Sequence, residues 1–213
     1  MCIRDSIDTT GGAYYAKLLE AKGITYLGSF HNGFRQLTNS KHPVTKPEDL
    51  KDLKIRVPGS AVYMGVFNAL GASPTAMSWS EVFTAIQQKT IDGQENGCSV
   101  TKSAKMDEIQ QYMTIWNYSY ENDLFVANSR VWESLDENTR QLLQECATES
   151  CEWGRDHLEA EEDQLIQGFM DSGMQVDILT EDQLQAFKDA VAGVTADLKA
   201  EYGEDACAAF GIN

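Results

Sequence analysis

Three histidines (His31, His42, His157) and five cysteines (Cys2, Cys98, Cys146, Cys151, Cys207) are the side chains of this 213-residue chain best suited to nucleophilic, proton-transfer or metal chemistry. Their spacing does not assemble them. There is no CxxC pair, no Cys/His spacing of a zinc site and no GxSxG elbow to raise a serine beside a base. Neither GxGxxG nor a Walker loop is present to cradle a nucleotide. His157 lies among Glu159, Glu161 and Glu162, and reads as a partly buried or solvated helix residue. The paired acids Asp107–Glu108 and Glu161–Glu162 are adjacent and face apart on a helix. Cys146 and Cys151 fall on different faces of one helix, so they read as thiols and not as a bridge. No cofactor, metal or catalytic set is expected, and a hydrolase built on His31 or a cysteine is the weaker rival.

Arg56 is different. In LKIRVPGS it stands near the end of an apolar strand, just before a proline turn, and ligands of α/β sheets bind outside such carboxyl ends. A guanidinium there offers a planar fork to a carboxylate, which a lysine cannot match. Asn96 in DGQENG and Trp79 at a helix start each carry two readings. They are turn residue and core aromatic, or ligand donor and pocket wall.

The elements around these residues alternate. GAYYAKLLEAK (12–22) reads as a helix stopped by Gly23, and ITYLGSF as the strand after it. Thr45 to Glu48 forms a capping box for the short helix EDLKDL, and LKIRVP follows as a strand. SAVYMGVFNALG is a helix, SPTAM a short extended piece, and Ser78 to Glu81 caps the helix EVFTAIQQK. MTIWNYSYENDLFVANSRVW gives two extended stretches around a polar middle, suited to crossing between lobes. Ser134 to Glu137 caps a helix of more than thirty residues, with apolar positions from Leu142 and Leu143 through Cys146, Trp153, His157, Leu158, Leu165 and Ile166 to Phe169, and with Gly154 as its bend. MQVDIL is a last strand, and Thr180 caps a helix running to about Tyr202. The pattern is α/β.

Seventeen basic against thirty-three acidic residues give a net charge of -16, which repels nucleic-acid backbones and anionic lipid. No window reaches the roughly 20 apolar residues of a membrane-spanning helix.

Four stretches, FRQLTNS, PEDLKDLKIRVP, ALGASPTAMSWSEVFTAIQ and DGQEN, occur in an order and spacing that closely resembles the solute-binding proteins of TRAP transporters, the DctP-type family. The resemblance continues through YENDLFVANSRVWESL and the long helix. It implies a two-lobed α/β clamp with that helix bridging both lobes, the first lobe incomplete. It implies capture of a small organic acid, a sugar acid or a dicarboxylate, outside the cytoplasm, and delivery to membrane permease subunits driven by an ion gradient. A sensor domain binding the same kind of ligand is the alternative. On this resemblance Arg56 takes the carboxylate, Asn96 hydrogen-bonds beside it, Trp79 walls the pocket and Arg35 is a second polar contact. Tyr118, Tyr120 and Asp123 lie where the family's chain crosses the cleft. Two departures are QENG for QENP and PTAM for PTPM, which loosen loops but keep the ligand-facing residues.

MCIRDS back-translates as ATG TGT ATA AGA GAC AG and one further base, the transposon end of sequencing-library adapters. Residues 1–6 are therefore expected to be adapter-derived and the protein N-terminally truncated. The expected lobes are 7–33 with 121–161, and 34–120 with 162–213. A periplasmic or lipid-anchored location follows from the family, with the signal sequence upstream of this chain.

Overall fold

The computed structural model describes residues 3–212, so Met1 and Cys2, where the adapter reading begins, lie outside the described residues. In chain order the elements are α1 (Ile3–Ser6), a π-helical turn (Ile7–Gly11), α2 (Gly12–Glu20), β1 (Ile24–Asn39), a 3-10 turn (Pro47–Leu50), β2 (Lys54–Val57), α3 (Ala61–Ala69), β3 (Ser73–Ala76), α4 (Trp79–Gln87) and β4 (Gly93–Gly97). They continue with α5 (Cys98–Ser103), a 3-10 turn (Met106–Glu108), β5 (Tyr112–Ile115), β6 (Tyr120–Asn128), α6 (Ser129–Glu133), α7 (Glu137–Asp171), β7 (Gln175–Ile178), α8 (Glu181–Ala190) and α9 (Ala192–Ala209). Two compact units share the chain. The first holds the residues up to Gly33, Tyr120–Ala160 and the stretch from Lys199, and the second holds Phe34–Ser119 and Glu161–Leu198.

In the second unit the strand order is β3-β2-β4-β1-β5-β7. β2 runs parallel to β3 and β4, β5 parallel to β7, and β1 antiparallel to both of its neighbours, β4 and β5. Alternation along these strands sorts the side chains onto two faces. Leu37, Ile55 and Val57 go to one face and pack with Phe67 of α3, Trp116 and Phe187 of α8. All but Trp116 and Phe187 are completely buried, each such apolar side chain contributing about 1.5 to 3 kcal/mol. The other face carries Gln36, Thr38, Arg56, Gln94 and Asn96 by register. It is covered by Val82, Ile86 and Met106 around α4, and by Cys98, Met113, Phe169 and Met174. Burial pushes the Cys98 thiol up to about 12.

GQENG has no β-branched residue, and it forms a strand because two neighbours hold it. Gly93 is required there: a Cβ would lie 2.3 Å from the Thr38 carbonyl oxygen.

In the first unit, the long helix packs on β1 at contacts that each have a glycine on one side. Cys151 lies against Gly28, Gly154 against Phe30 and Leu158 against Gly33. The stripe read from large apolar residues is displaced here, with Leu142, Leu143 and Trp153 at 59%, 43% and 67% exposure and Trp153 stacked on His157. A close helix-to-strand approach selects small side chains, which periodicity of large ones cannot reveal. Gly154 stays inside a continuous helix as a packing site for Phe30, where a bend was expected.

Other boundaries also move. β1 continues through Asn39 instead of stopping near Phe30. Asp49, not Glu48, closes the turn at residues 47–50, accepting from the backbone N–H groups of Thr45 and Lys46. Asp136, not Ser134, caps α7, and its bonds to Thr139 lower its carboxyl pKa. Thr180 and Gln183 form the expected capping box, but the helix breaks at Val191. The tail from Lys199 belongs to the first unit, not the second as the sequence boundaries had it. The reason is aromatic packing of Phe210 on Tyr14 and Tyr15, with the Thr10 hydroxyl donating to the Ala209 carbonyl.

Gly93→Ala is expected to destabilise the protein by about 1 to 3 kcal/mol, because the methyl meets backbone. Gly168→Ala, in α7 with no atom within 4 Å of the new methyl, is expected to stabilise by about 0.5 to 1 kcal/mol. Urea unfolding of the two variants reads the contrast, and equal effects would mean the β1–β4 register is wrong.

Candidate ligand-binding site

Arg56 is buried at 5% exposure on the penultimate residue of β2. Its Nε and Nη2 both donate to the Met77 carbonyl, at 2.9 and 2.7 Å, and its Cζ lies 5.3 Å from the centre of the Trp79 ring. The sequence sets this up locally. β3 runs parallel to β2 and delivers Met77 past its end, where the Met77 N–H donates to Val57 O, and α4 begins two residues later with Trp79. A carbonyl dipole and a π-face both favour a cation, so the guanidinium is oriented without a neutralising carboxylate at those contacts. Trp79 also packs into the cluster around Val82 and Ile86, making it a platform for Arg56.

Asn96 sits on the adjacent strand. Arg56 registers with Gln94, so Asn96 lies two residues further along the same face. Its Oδ1 accepts from the Gly97 N–H at 2.9 Å, which fixes the carboxamide and presents Nδ2 as the donating end. Gln36, registered with Asn96, accepts on Oε1 from the Trp116 and Asn117 N–H groups and holds the segment after β5. Gln36 was not singled out from the sequence, although it follows Arg35 in FRQ.

Arg35 belongs to the opposite face. Its Nε donates to Glu95 Oε2 at 2.5 Å, and its Nη2 to Glu95 Oε1 and to the Glu95 carbonyl, both at 2.8 Å. Its Cζ lies 5.2 Å from the Tyr63 ring centre, and its N–H donates to Ser119 O. Both charged side chains are at most 2% exposed. The Tyr118 hydroxyl donates to Glu95 Oε2, and burial, then the Glu95 charge, pushes the phenol well above its ordinary value. Tyr118 also packs on Trp116 and Phe67. The register therefore separates Arg35 and Tyr118 from the face of Arg56 and Asn96. Glu95 was visible only as a letter of the QEN motif, because a buried acid is not distinguished from an exposed one by its neighbours in sequence.

Tyr120 and Asp123 lie on β6 in the first unit. Tyr120 hydrogen-bonds His31 Nδ1, while His31 Nε2 meets Asp8 at 2.9 Å and Asp8 is paired with Arg155. Asp123 is an exposed strand residue. Among the described residues no group of three or more His, Cys, Asp or Glu is arranged to hold a metal.

The model of bacterial extracellular solute-binding proteins, family 7, matches residues 6–201, and the chain belongs to that family. The chain is 34% identical over 180 residues to the 2,3-diketo-L-gulonate-binding periplasmic protein of Escherichia coli, covering 84% of this chain and 54% of that protein. It is 32% identical over 192 residues to the C4-dicarboxylate-binding periplasmic protein of Rhodobacter capsulatus, covering 90% and 57%. It spans about half the length of these curated relatives. Its fold is that of TRAP periplasmic solute-binding proteins. The structure of one from Ralstonia eutropha with bound (S)-2-acetolactate has a TM-score of 0.93 and 33% identity, covering 99% of this chain and 69% of that one. The sugar acid binding protein of Advenella mimigardefordensis in complex with galactonate has a TM-score of 0.93 and 29% identity, covering 99% and 68%.

Two outcomes are expected here. Arg35→Met should cost about 3 to 5 kcal/mol by stranding Glu95, whereas Arg35→Met with Glu95→Leu should cost much less. A denaturation cycle measures this, and additive losses would deny the pair. Tyr118 supplies a pH test. Its raised folded-state pKa means the unfolded chain loses that proton first, so stability should fall as pH rises above about 10. Tyr118→Phe should remove that part of the alkaline loss; an unchanged slope would place the ionisation elsewhere.

Proposed function

We propose that this chain is the solute-binding component of a TRAP transporter, which captures a small organic acid outside the cytoplasm and delivers it to membrane permease subunits driven by an ion gradient. The observation that carries the reading is Arg56, oriented by the Met77 carbonyl and the Trp79 face, with the Asn96 amide as a donor on the next strand. Donors held by backbone are suited to receiving an anion, and the set contains no nucleophile–base pair to transform it. In this reading Arg56 takes the carboxylate on its terminal nitrogens while Nε is held, and Asn96 Nδ2 donates beside it.

The pairing of Arg35 with Glu95 supports a sugar acid over a dicarboxylate, since the charge of that second arginine is matched inside the protein. A periplasmic or lipid-anchored location follows from the family, whose curated relatives are periplasmic proteins.

Arg56→Lys should weaken binding by about 1.5 to 3 kcal/mol, because an ammonium cannot both hold Met77 O and present a fork. Titration calorimetry with galactonate, gluconate and succinate checks it. A lysine variant within about threefold of wild type, under about 0.7 kcal/mol, would remove Arg56 as the carboxylate clamp.

A further inference from the structure

QENG holds an Asn–Gly dipeptide where the resemblance to the family has QENP. Proline carries no peptide N–H, whereas glycine has one and no side chain to shield it. The Gly97 N–H donates to Asn96 Oδ1 at 2.9 Å, and Cγ is one bond beyond that oxygen. The peptide nitrogen is thus held beside the carbon of the carboxamide. The pair ends β4, where Gly97, at φ −60° and ψ 153°, hands the chain over to α5. Among the described residues no other group bonds Asn96 Nδ2, and this nitrogen is not one of the polar atoms sealed from solvent without a partner. Nothing ties the amide nitrogen down, and water can reach it.

The same dipeptide occurs at Asn32–Gly33, where the fold arranges it differently. There Nδ2 donates to Glu121 Oε2 at 2.8 Å, so the carboxamide is tied to β6 and not turned onto the Gly33 N–H. We propose that Asn96 is a self-modification site, which converts spontaneously to aspartate or isoaspartate and thereby switches the carboxylate site off. Gly97 N attacks Asn96 Cγ, the new N–Cγ bond closes a succinimide, and the Cγ–Nδ2 bond breaks. Nδ2 leaves as ammonia with the proton from Gly97. Water then opens the ring at either carbonyl, giving aspartate or, with the chain rerouted through Cγ, isoaspartate. Arg56 registers with Gln94 and Asn96 lies two residues further along that face, so either product sets a carboxylate near the guanidinium. It would compete for Arg56 and repel an arriving acid. The loss of binding rests on the proposed reading of Arg56 and Asn96; the chemistry at Asn96 does not.

The test is peptide mass mapping of the whole chain after incubation at neutral and mildly alkaline pH, with Asn32–Gly33 as the internal reference. The Asn96 peptide is expected to lose ammonia and then gain one mass unit, faster in alkali, with the Asn32 peptide at least about tenfold slower. Gly97→Pro, whose ring-fixed φ of about −65° fits the −60° of Gly97, should abolish the change. Asn96→Asp should weaken binding of galactonate, gluconate or succinate at least about tenfold in titration calorimetry. An Asn96 peptide that stays unchanged, or changes no faster than the Asn32 peptide, would overturn the modification site whatever the ligand. Undiminished binding by Asn96→Asp, alongside loss of binding in Arg56→Lys, would overturn the switch and leave the reading of Arg56 standing.

Discussion

The ion pair between Arg35 and Glu95 is the constraint on which the second unit is arranged. It crosses from β1 to β4, where an antiparallel strand has been set among parallel ones, and it is closed to water on all sides. Two charges there would be costly unless fully satisfied, and they are satisfied by a two-point fork, a backbone carbonyl and the Tyr118 hydroxyl. Tyr118 belongs to the link between β5 and β6, and the Arg35 N–H reaches Ser119 in that same link. One pair therefore fixes a strand register and the link that carries the chain from β5 to β6.

The alternation of β1 then divides the labour between the two faces. Arg35 and Leu37 face the core with Phe67 and Trp116, whereas Gln36 and Thr38 face the side of Arg56, Gln94 and Asn96. Gln36 accepts from the backbone at 116–117 and Gln94 donates to Thr38, so the polar face is tied together by amides. Amides satisfy buried backbone groups without adding charge. Arg56 thus remains the guanidinium on a face otherwise lined, by register, with neutral groups.

This also explains what could be read in the sequence and what could not. The α/β alternation, the strand MQVDIL and the Thr180 cap follow from local periodicity and capping chemistry, and each appears where those rules put it. Arg56 was legible because a charged residue inside an apolar strand needs a reason. Glu95 and Gln36 were not, because their meaning depends on which strands are neighbours. GQENG has no strand propensity of its own and is extended because β1 and β2 flank it. On α7 the hydrophobic pattern included Leu158, which packs on Gly33, but not Cys151 or the packing role of Gly154, because close approach selects small residues while a hydrophobic pattern records large ones.

The two arginines show how far residue type alone can carry an assignment. Both are buried, both stand on a strand paired with β4, and both lie 5.2 to 5.3 Å from the centre of an aromatic ring. Their fates diverge at the atom that meets the fork. For Arg35 it is the carboxylate of Glu95, which matches the charge and turns the guanidinium into a structural tie. For Arg56 it is the carbonyl of Met77, which orients the guanidinium through Nε and Nη2. A carbonyl is enough to hold the planar group in place, and too weak to replace an anion as its counter-charge. Held in plane from one edge by a backbone carbonyl, the Arg56 guanidinium keeps the rigid fork geometry that matches a carboxylate.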